Sequence, residues 1–445
     1  MIERWDKQPI NYRPISLLSA FAKILERHIH NEINQFIEKH NILHNFQYGF
    51  RENSSTELAI TQITDEIQNN LQNKQSTLAV FLDLAKAFDT VDHQILLAKL
   101  DRYGIRGIPG KLLRSYLTNR SQVTIVNNIK SKPEEVTCGV PQGSILGPLL
   151  FNLYINDLAN ASDLTVRLYA DDACLTFCHK NFNMLQNKVN TELVLITDWL
   201  KVNKLSINYL KSNYIIFNNS KLQQNLHIKM DGNNLGQINV INYLGVHLDN
   251  KLNWKKHLEN VEIKLSKASH IISKIRHYVD LPTLKMLYYS LAFPHINYCL
   301  TAWGGTYKTA IMPIVKLQKK IVRLMTKSPF NAHSNPLFSK LKILPIKYQH
   351  FFNLAILFHK INHSNIIGNY NITPINKIHT YNTRLSKNNN YFQSYKRLNV
   401  SMSSCSNMGI QVWRKIPEEF KKLPSQNFKY KIKKYLFELL EKDEL

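Results

Sequence analysis

Between Leu281 and Pro417 the chain contains no aspartate or glutamate, yet 18 lysines and arginines fall in that span. A solvated surface ordinarily mixes both signs, so the absence needs a reason. A polyanionic partner supplies one, because carboxylates repel phosphates while lysine and arginine hold them. A lysine-rich, AT-biased coding composition is the competing reading. It accounts for the many Asn, Ile and Lys residues better than for the missing acids. Cysteine is also sparse: five, odd in number and scattered (Cys138, Cys174, Cys178, Cys299, Cys405). That excludes a disulfide framework and points to reduced thiols inside a cell. Cys174 and Cys178 lack the second pair or nearby histidine that a zinc site needs. No apolar run reaches the roughly 18 residues of a membrane span. The opening "MIERWDKQPI" is too polar for a secretory signal. The terminal "KDEL" matches a retention address that acts only in the secretory pathway, so it is read as coincidental. The expected location is intracellular, in nucleus or cytoplasm, with no membrane contact.

What is present is a long, foldable chain: 445 residues, 44% hydrophobic and 10% aromatic. Its net charge of +25 is uneven. Residues 1–245 carry 25 Lys/Arg against 22 Asp/Glu, a balance of +3; residues 246–445 carry 32 against 10, a balance of +22. The first half alternates helical and strand patterns. "AFAKILERHIHNEINQFIEKH" spaces Phe21, Ile24, Leu25, Ile29, Ile33, Phe36 and Ile37 as one helical face. "TLAVFLDL" reads as a buried strand ending at Asp83, and "LTVRLY" and "ACLTF" as a hairpin turning at Ala170 and Asp171. "VINYLGVHLD" reads as another hairpin. Beyond Trp254 the pattern is helical, with breaks expected at Pro282, Pro294, Gly304–Gly305 and Pro313. The class is α+β.

The adjacent carboxylates Asp171 and Asp172 sit between apolar segments. Two carboxylates at a hairpin tip are tolerable when a cation neutralises them, and oxygen-only ligands favour hard ions such as Mg²⁺. Asp83, at the end of a strand suited to pair beside the hairpin, supplies a third. Three carboxylates at adjacent strand ends can hold two ions roughly 4 Å apart for in-line attack on a phosphoryl group. The plainer alternative is that Asp–Asp marks a turn.

Seven blocks decide between these readings by their order: "NYRPISLLS", "QYGFRENSSTELAI", "FLDLAKAFDTVDH", "GVPQGSILGPLLFNLYINDL", "LYADD", "LSINYLKSNYIIF" and "YLGVHLD". Together the chain resembles the reverse transcriptases of non-LTR (LINE-type) retrotransposons, near the jockey group. The resemblance implies an α+β right-hand polymerase: fingers and palm with an antiparallel sheet over 1–250, a helical thumb over 251–350 and a basic C-terminal region over 351–445. It implies RNA-directed DNA synthesis using two Mg²⁺ ions (Mn²⁺ as a substitute), an RNA template, a DNA primer and dNTPs, with no obligate protein partner. By residue match, Asp83, Asp171 and Asp172 are the metal-binding catalytic aspartates. Phe88 matches the aromatic gate against a 2′-hydroxyl; a core phenylalanine is its alternative. Gln142 and Gly143 shape the nucleotide pocket. Arg13 and Arg51 match finger positions facing triphosphate or template, with a surface salt bridge as the other reading. Lys211 matches a lysine that protonates pyrophosphate, or is merely solvated. Tyr243, Leu244 and Gly245 match the hairpin that grips the primer. Complete elements of this type carry an upstream endonuclease; the chain begins almost at the first polymerase block, which suggests a truncated copy. That leaves an inactive, nucleic-acid-binding remnant as the rival reading. An intron-type maturase fits the palm blocks less well.

Overall fold

A computed structural model describes residues 14–219, 225–363, 372–377 and 390–442. In chain order, helices α1 (Ala20–Lys39) and α2 (Thr56–Gln72) precede strand β1 (Ser76–Asp83). Helices α3 (His93–Arg102) and α4 (Gly107–Leu117) follow. Then come two short ribbons of β2 (Ser121–Gln122), β3 (Ile125–Val126), β4 (Ile129–Lys130) and β5 (Glu134–Glu135). Helix α5 (Leu146–Ile155) leads into the hairpin β6 (Thr165–Tyr169) and β7 (Asp172–His179). Next are helix α6 (Phe182–Val202), β8 (Asn213–Phe217), the ribbon β9 (Lys229–Met230) and β10 (Asn233–Asn234), and β11 (Gly236–Gln237). The hairpin β12 (Val240–Tyr243) and β13 (Val246–Asp249) closes this half.

Side chains alternate across a strand, so a strand buried on both faces feeds two cores. The central sheet, in the order β11-β8-β1-β7-β6, does this. Leu78, Val80 and Leu82 of β1 join one core with Ile29, Ile33 and Ile37 of α1, Leu96 and Leu100 of α3, and Leu193 and Ile196 of α6. Ala79 and Phe81 join the other, with Ile60, Ile63 and Ile67 of α2, the β12–β13 hairpin and the helical half. That half comprises α7 (Lys255–Ile275), α8 (Leu281–Leu291), α9 (Phe293–Asn297), α10 (Leu300–Trp303), α11 (Lys308–Met325), α12 (Ser334–Leu341) and α13 (Ile346–His363). It ends with α14 (Asn399–Met402), α15 (Cys405–Lys415), α16 (Glu418–Lys421) and α17 (Ser425–Lys442). Among the described residues no helix is long and apolar enough to cross a membrane.

Three expectations need correction. Phe21, Ile24 and Leu25 are not core residues: they are 85%, 68% and 57% exposed. Glu26 is buried instead, accepting hydrogen bonds from the Ile145 N–H at 2.7 Å and the Tyr116 hydroxyl at 2.9 Å. Those partners set the rotation of α1, and its apolar packing begins only at Ile29. Pro313 lies inside α11 rather than ending it. A proline there removes a single ladder bond, while the buried face of Ile314, Ile321, Val322 and Met325 holds the helix. The division at 350/351 falls within α13, whose residues pack with α15 and α17 in the same core as the preceding helices.

Candidate active site

Strands β1 and β7 run antiparallel, in a register that sets Asp83 directly opposite Asp172. Cross-strand partners project to the same face, about 5 Å apart at Cβ. Asp171 and the buried Ala170 form the β6–β7 turn, and Ala170 takes a φ of +55°, uncommon for a residue with a Cβ. The turn is held from outside. The Tyr48 N–H donates to the Leu168 carbonyl at 2.8 Å and the Leu168 N–H to the Phe46 carbonyl at 2.9 Å. Gly49 is thereby pressed onto the hairpin tip: a Cβ built on it would lie 2.3 Å from the Ala170 nitrogen. Asn152 Nδ2 donates to the Gly49 carbonyl at 2.7 Å and anchors this contact to α5.

Asp83 is fixed by its backbone. Its N–H donates to Ser212 Oγ at 3.1 Å, and its carbonyl accepts from the Asn208 N–H at 2.8 Å. Lys211 belongs to this same turn and is exposed. Below the aspartates, Arg167 is buried and paired with Glu66, and its Nη1 donates to Thr176 Oγ1 at 2.9 Å. Burial there weakens the hold of Arg167 on its proton, but the charge and hydrogen bond of Glu66, with Tyr48 and Cys174, together more than offset it, and its pKa is raised.

Phe88 is half-buried and stacks on Phe151 with centroids 4.6 Å apart. Next to it, Gln142 Nε2 donates to Asp89 Oδ1 at 2.8 Å. The Ser16 N–H donates to the Gln142 carbonyl at 2.8 Å, and Gly143 has a φ of +106°. A side chain on Gly143 would be strained and would crowd the Ser16 carbonyl at 3.2 Å. Leu244 (φ +47°) and Gly245 (φ +77°) turn the β12–β13 hairpin, two successive positive angles as a type I′ turn requires. The Tyr298 hydroxyl donates to the Leu244 carbonyl at 2.6 Å, tying the turn to the helical half. Tyr243 is buried, its ring edge-on to Phe81 at 5.0 Å. Burial, with Cys174 and Asp172 nearby, pushes its hydroxyl well above the ordinary phenol range.

The fold thus gathers Asp83, Asp171, Asp172 and Lys211 at one end of the sheet, with Phe88 beside Gln142. Arg51 is engaged elsewhere: its side chain is 6% exposed and paired with Glu38 at 2.9 Å, with Nη1 donating to the His44 carbonyl. It therefore takes the salt-bridge alternative. Arg13 lies outside the described residues. Gly49, Asn152 and Ser212 do not stand out in the sequence, although a glycine set among Tyr48, Phe50 and Arg51 signals close backbone approach. The three aspartates form an oxygen-only donor set suited to hard divalent ions. Among the described residues, no three His, Cys, Asp or Glu side chains are drawn together closely enough to be a ready-made metal cage.

Residues 5–248 match the family model described as reverse transcriptase (RNA-dependent DNA polymerase). The chain belongs to the reverse transcriptase family. Its right-hand polymerase fold is the α+β architecture implied by the seven blocks. Similar proteins include the "Probable RNA-directed DNA polymerase from transposon BS" of Drosophila melanogaster, 29% identical over 362 residues, covering 77% of this chain and 39% of that protein. The "RNA-directed DNA polymerase from mobile element jockey" of the same species is 27% identical over 361 residues, with the same coverage of 77% and 39%. The chain thus spans about 39% of the length of these relatives. Among solved structures, telomerase from Candida albicans in complex with a fragment of telomeric RNA superposes on this chain with a TM-score of 0.41. Its sequence identity is 10%, over 72% of this chain and 56% of that one.

Proposed function

We propose that this chain is an RNA-directed DNA polymerase that extends a primer 3′ end along an RNA template with dNTPs. The observation that carries the reading is the register placing Asp83 opposite Asp172, with Asp171 at the adjoining turn. Asp83, Asp171 and Asp172 would hold divalent ions, Mg²⁺ or in its place Mn²⁺. When bound, such ions would lower the pKa of the attacking 3′-hydroxyl and neutralise charge on the transferring phosphoryl group. The chain's own residues do the positioning. Ser212 and Asn208 hold the backbone of Asp83, and Gly49 sets the hairpin tip. Phe88 excludes a 2′-hydroxyl by occupying its space. Gln142 and Gly143 border the nucleotide beside it. Tyr243, Leu244 and Gly245 seat the primer end, and Lys211 donates a proton to departing pyrophosphate. Residues up to about 250 act as fingers and palm. The helical half acts as thumb and continues into the basic C-terminal region.

Primer extension by the purified chain on poly(rA)/oligo(dT) with Mg²⁺ is the test. Template-dependent incorporation of dTTP is the expected result. Tight binding of template–primer with no incorporation would instead assign the chain to nucleic-acid binding alone.

A further inference from the structure

Helix α2 lies between the β6–β7 hairpin and the helical half, and it meets each through its own polar stripe. Thr61, Asp65, Gln68 and Gln72, at helical spacing, meet the helical half. Thr61 Oγ1 lies 3.1 Å from Thr301 Oγ1, and Asp65 accepts from the Cys405 and Ser406 N–H groups at 2.8 Å each. The Gln68 carbonyl accepts from Ser401 Oγ at 2.8 Å, and Gln72 Oε1 from the Arg397 and Leu398 N–H groups at 3.0 and 3.1 Å. Gln62 and Glu66, one helical turn apart, meet the other side. Gln62 accepts from the Tyr48 hydroxyl, and Glu66 pairs with Arg167 of β6. Burial keeps Tyr48 protonated by raising its pKa far above the ordinary phenol range, so it remains a donor. Arg167 stands opposite Cys174 in the β6–β7 register. Asp172, two residues before Cys174, is therefore its diagonal neighbour on the same face of the sheet, about 7–8 Å away.

We propose that Arg167 and Glu66 are positioning residues for polymerisation: their pair carries the seat of α2 against the helical half to the hairpin, and so sets where Asp171 stands relative to Asp83. The proposal rests on the polymerase reading, and the pair itself touches no substrate. The backbone ladder fixes Asp172 along its strand, and Ser212 and Asn208 hold Asp83. Neither sets the tilt of the hairpin tip, which falls to the side chains on its two faces. On one face Val166, Leu168, Ala173 and Leu175 join the apolar core, and apolar packing is not directional. On the other face the Arg167 side chain, 2% exposed, binds in fixed directions. It reaches Glu66 on α2 and Thr176 Oγ1 on β7 at 2.9 Å, and its guanidinium carbon lies 5.1 Å from the centre of the Phe46 ring. Its Nε has no hydrogen-bond partner. A buried cation with an unmet N–H is a poor device for stability alone, since an apolar pair of similar bulk serves as well. What the ion pair adds is orientation.

The test uses the full chain and single-turnover incorporation of dTTP on poly(rA)/oligo(dT) with Mg²⁺. Template–primer anisotropy, melting curves and hydrogen–deuterium exchange of residues 168–173 accompany it. Arg167→Met combined with Glu66→Leu removes both charges and keeps apolar bulk, so the double variant should melt close to the wild type. Its incorporation rate should nevertheless fall about a hundredfold, as expected for displacing a reacting group by about 1 Å. Exchange over residues 168–173 should rise. Half-saturation by dTTP and affinity for template–primer should stay within about twofold, because the pair binds neither. Arg167→Lys keeps the charge and one bond but not the planar fork, and should recover about tenfold of the lost rate. A double variant that melts like the wild type and also incorporates within about threefold of its rate would overturn the proposal. So would Arg167→Lys that is folded but no faster than the double variant. Should the double variant unfold, Glu66→Gln carries the same comparison, with a fall of about tenfold expected and an unchanged rate overturning the proposal. If the wild type extends no primer while the double variant still exchanges faster over residues 168–173, the polymerase reading falls and the positioning stands. If the wild type extends primers and the variants match it, the reverse holds.

Discussion

Before residue 246, cations and carboxylates meet: Arg51 with Glu38, Lys99 with Asp157, Lys188 with Asp163 and Glu192, Lys201 with Asp231, and Lys204 with Asp92. Beyond it, Lys256 meets Glu259 and Lys421 meets Glu418. The first half pairs cations with carboxylates of its own. The second presents cations in large excess over acids, 32 against 10, as a surface for a polyanion would. The contrast reaches into the interface between them. Helix α15 needs an acceptor for its first N–H groups, and its own region offers no carboxylate. Asp65 of α2 supplies one, accepting from the Cys405 and Ser406 N–H groups at 2.8 Å each. Glu57 of the same helix accepts from Thr301 Oγ1 at 2.7 Å.

The geometry around the aspartates is the most sensitive part of the molecule. Gly49→Ala forces a Cβ into the Ala170 backbone and must shift the tip that carries Asp171. Extension should fall at least about a hundredfold, since displacing a reacting group by about 1 Å costs that much. Template–primer affinity should stay within about twofold, because the basic half is untouched. Equal losses in both would mean that the halves are not separable in this way.

Phe88→Ala sharpens the geometric side further. The rGTP-to-dGTP incorporation ratio should rise about tenfold or more while dGTP is still used, because exclusion needs only a clash. Were the stack on Phe151 purely a core contact, truncation would cost about 3–5 kcal/mol and both activities would fall together with Tm.

On the electrostatic side, Lys308, Lys316 and Lys320 form an exposed row along α11. Changing all three to Gln should flatten the plot of log K against log[salt] by about 0.7–0.9 for each phosphate that is no longer neutralised. Lys188→Gln with Lys201→Gln, whose ammonium groups are already paired, should leave that slope unchanged. Equal slopes for the two sets would favour coding bias as the origin of the lysines.

The smallest effect is at the interface. Burial raises the Asp65 pKa from 3.8 to about 6. The unfolded chain then binds fewer protons than the folded one between those values, so this group makes stability fall as pH rises through the interval. The Tm of the wild type relative to Asp65→Asn should therefore drop by a few degrees, about 2–4 °C, from pH 4 to pH 7. A constant difference would show that Asp65 does not titrate there.

The strands and turns that carry the aspartates are legible because β-branched and apolar runs end at them, and because family blocks name them in order. Contacts between distant segments are not. Nothing local says that Glu26 rather than Leu25 turns inward, since the deciding groups are Ile145 and Tyr116. Nothing near Arg51 announces Glu38 as its partner. Gly49 stands inside a recognised block, but its close approach to Ala170, far along the chain, is a tertiary fact. Pro313 reads locally as a break, yet one missing ladder bond weighs less than a buried helix face.

The most direct measurement compares Asp171→Asn with the wild type in two assays on one preparation. Binding of template–primer should stay within about twofold, since the basic half is unchanged. Extension should fall by at least about a thousandfold, since losing a charged metal ligand removes several kcal/mol of transition-state stabilisation. Extension persisting within about tenfold of the wild type would contradict the assignment of these aspartates and the division between the two halves.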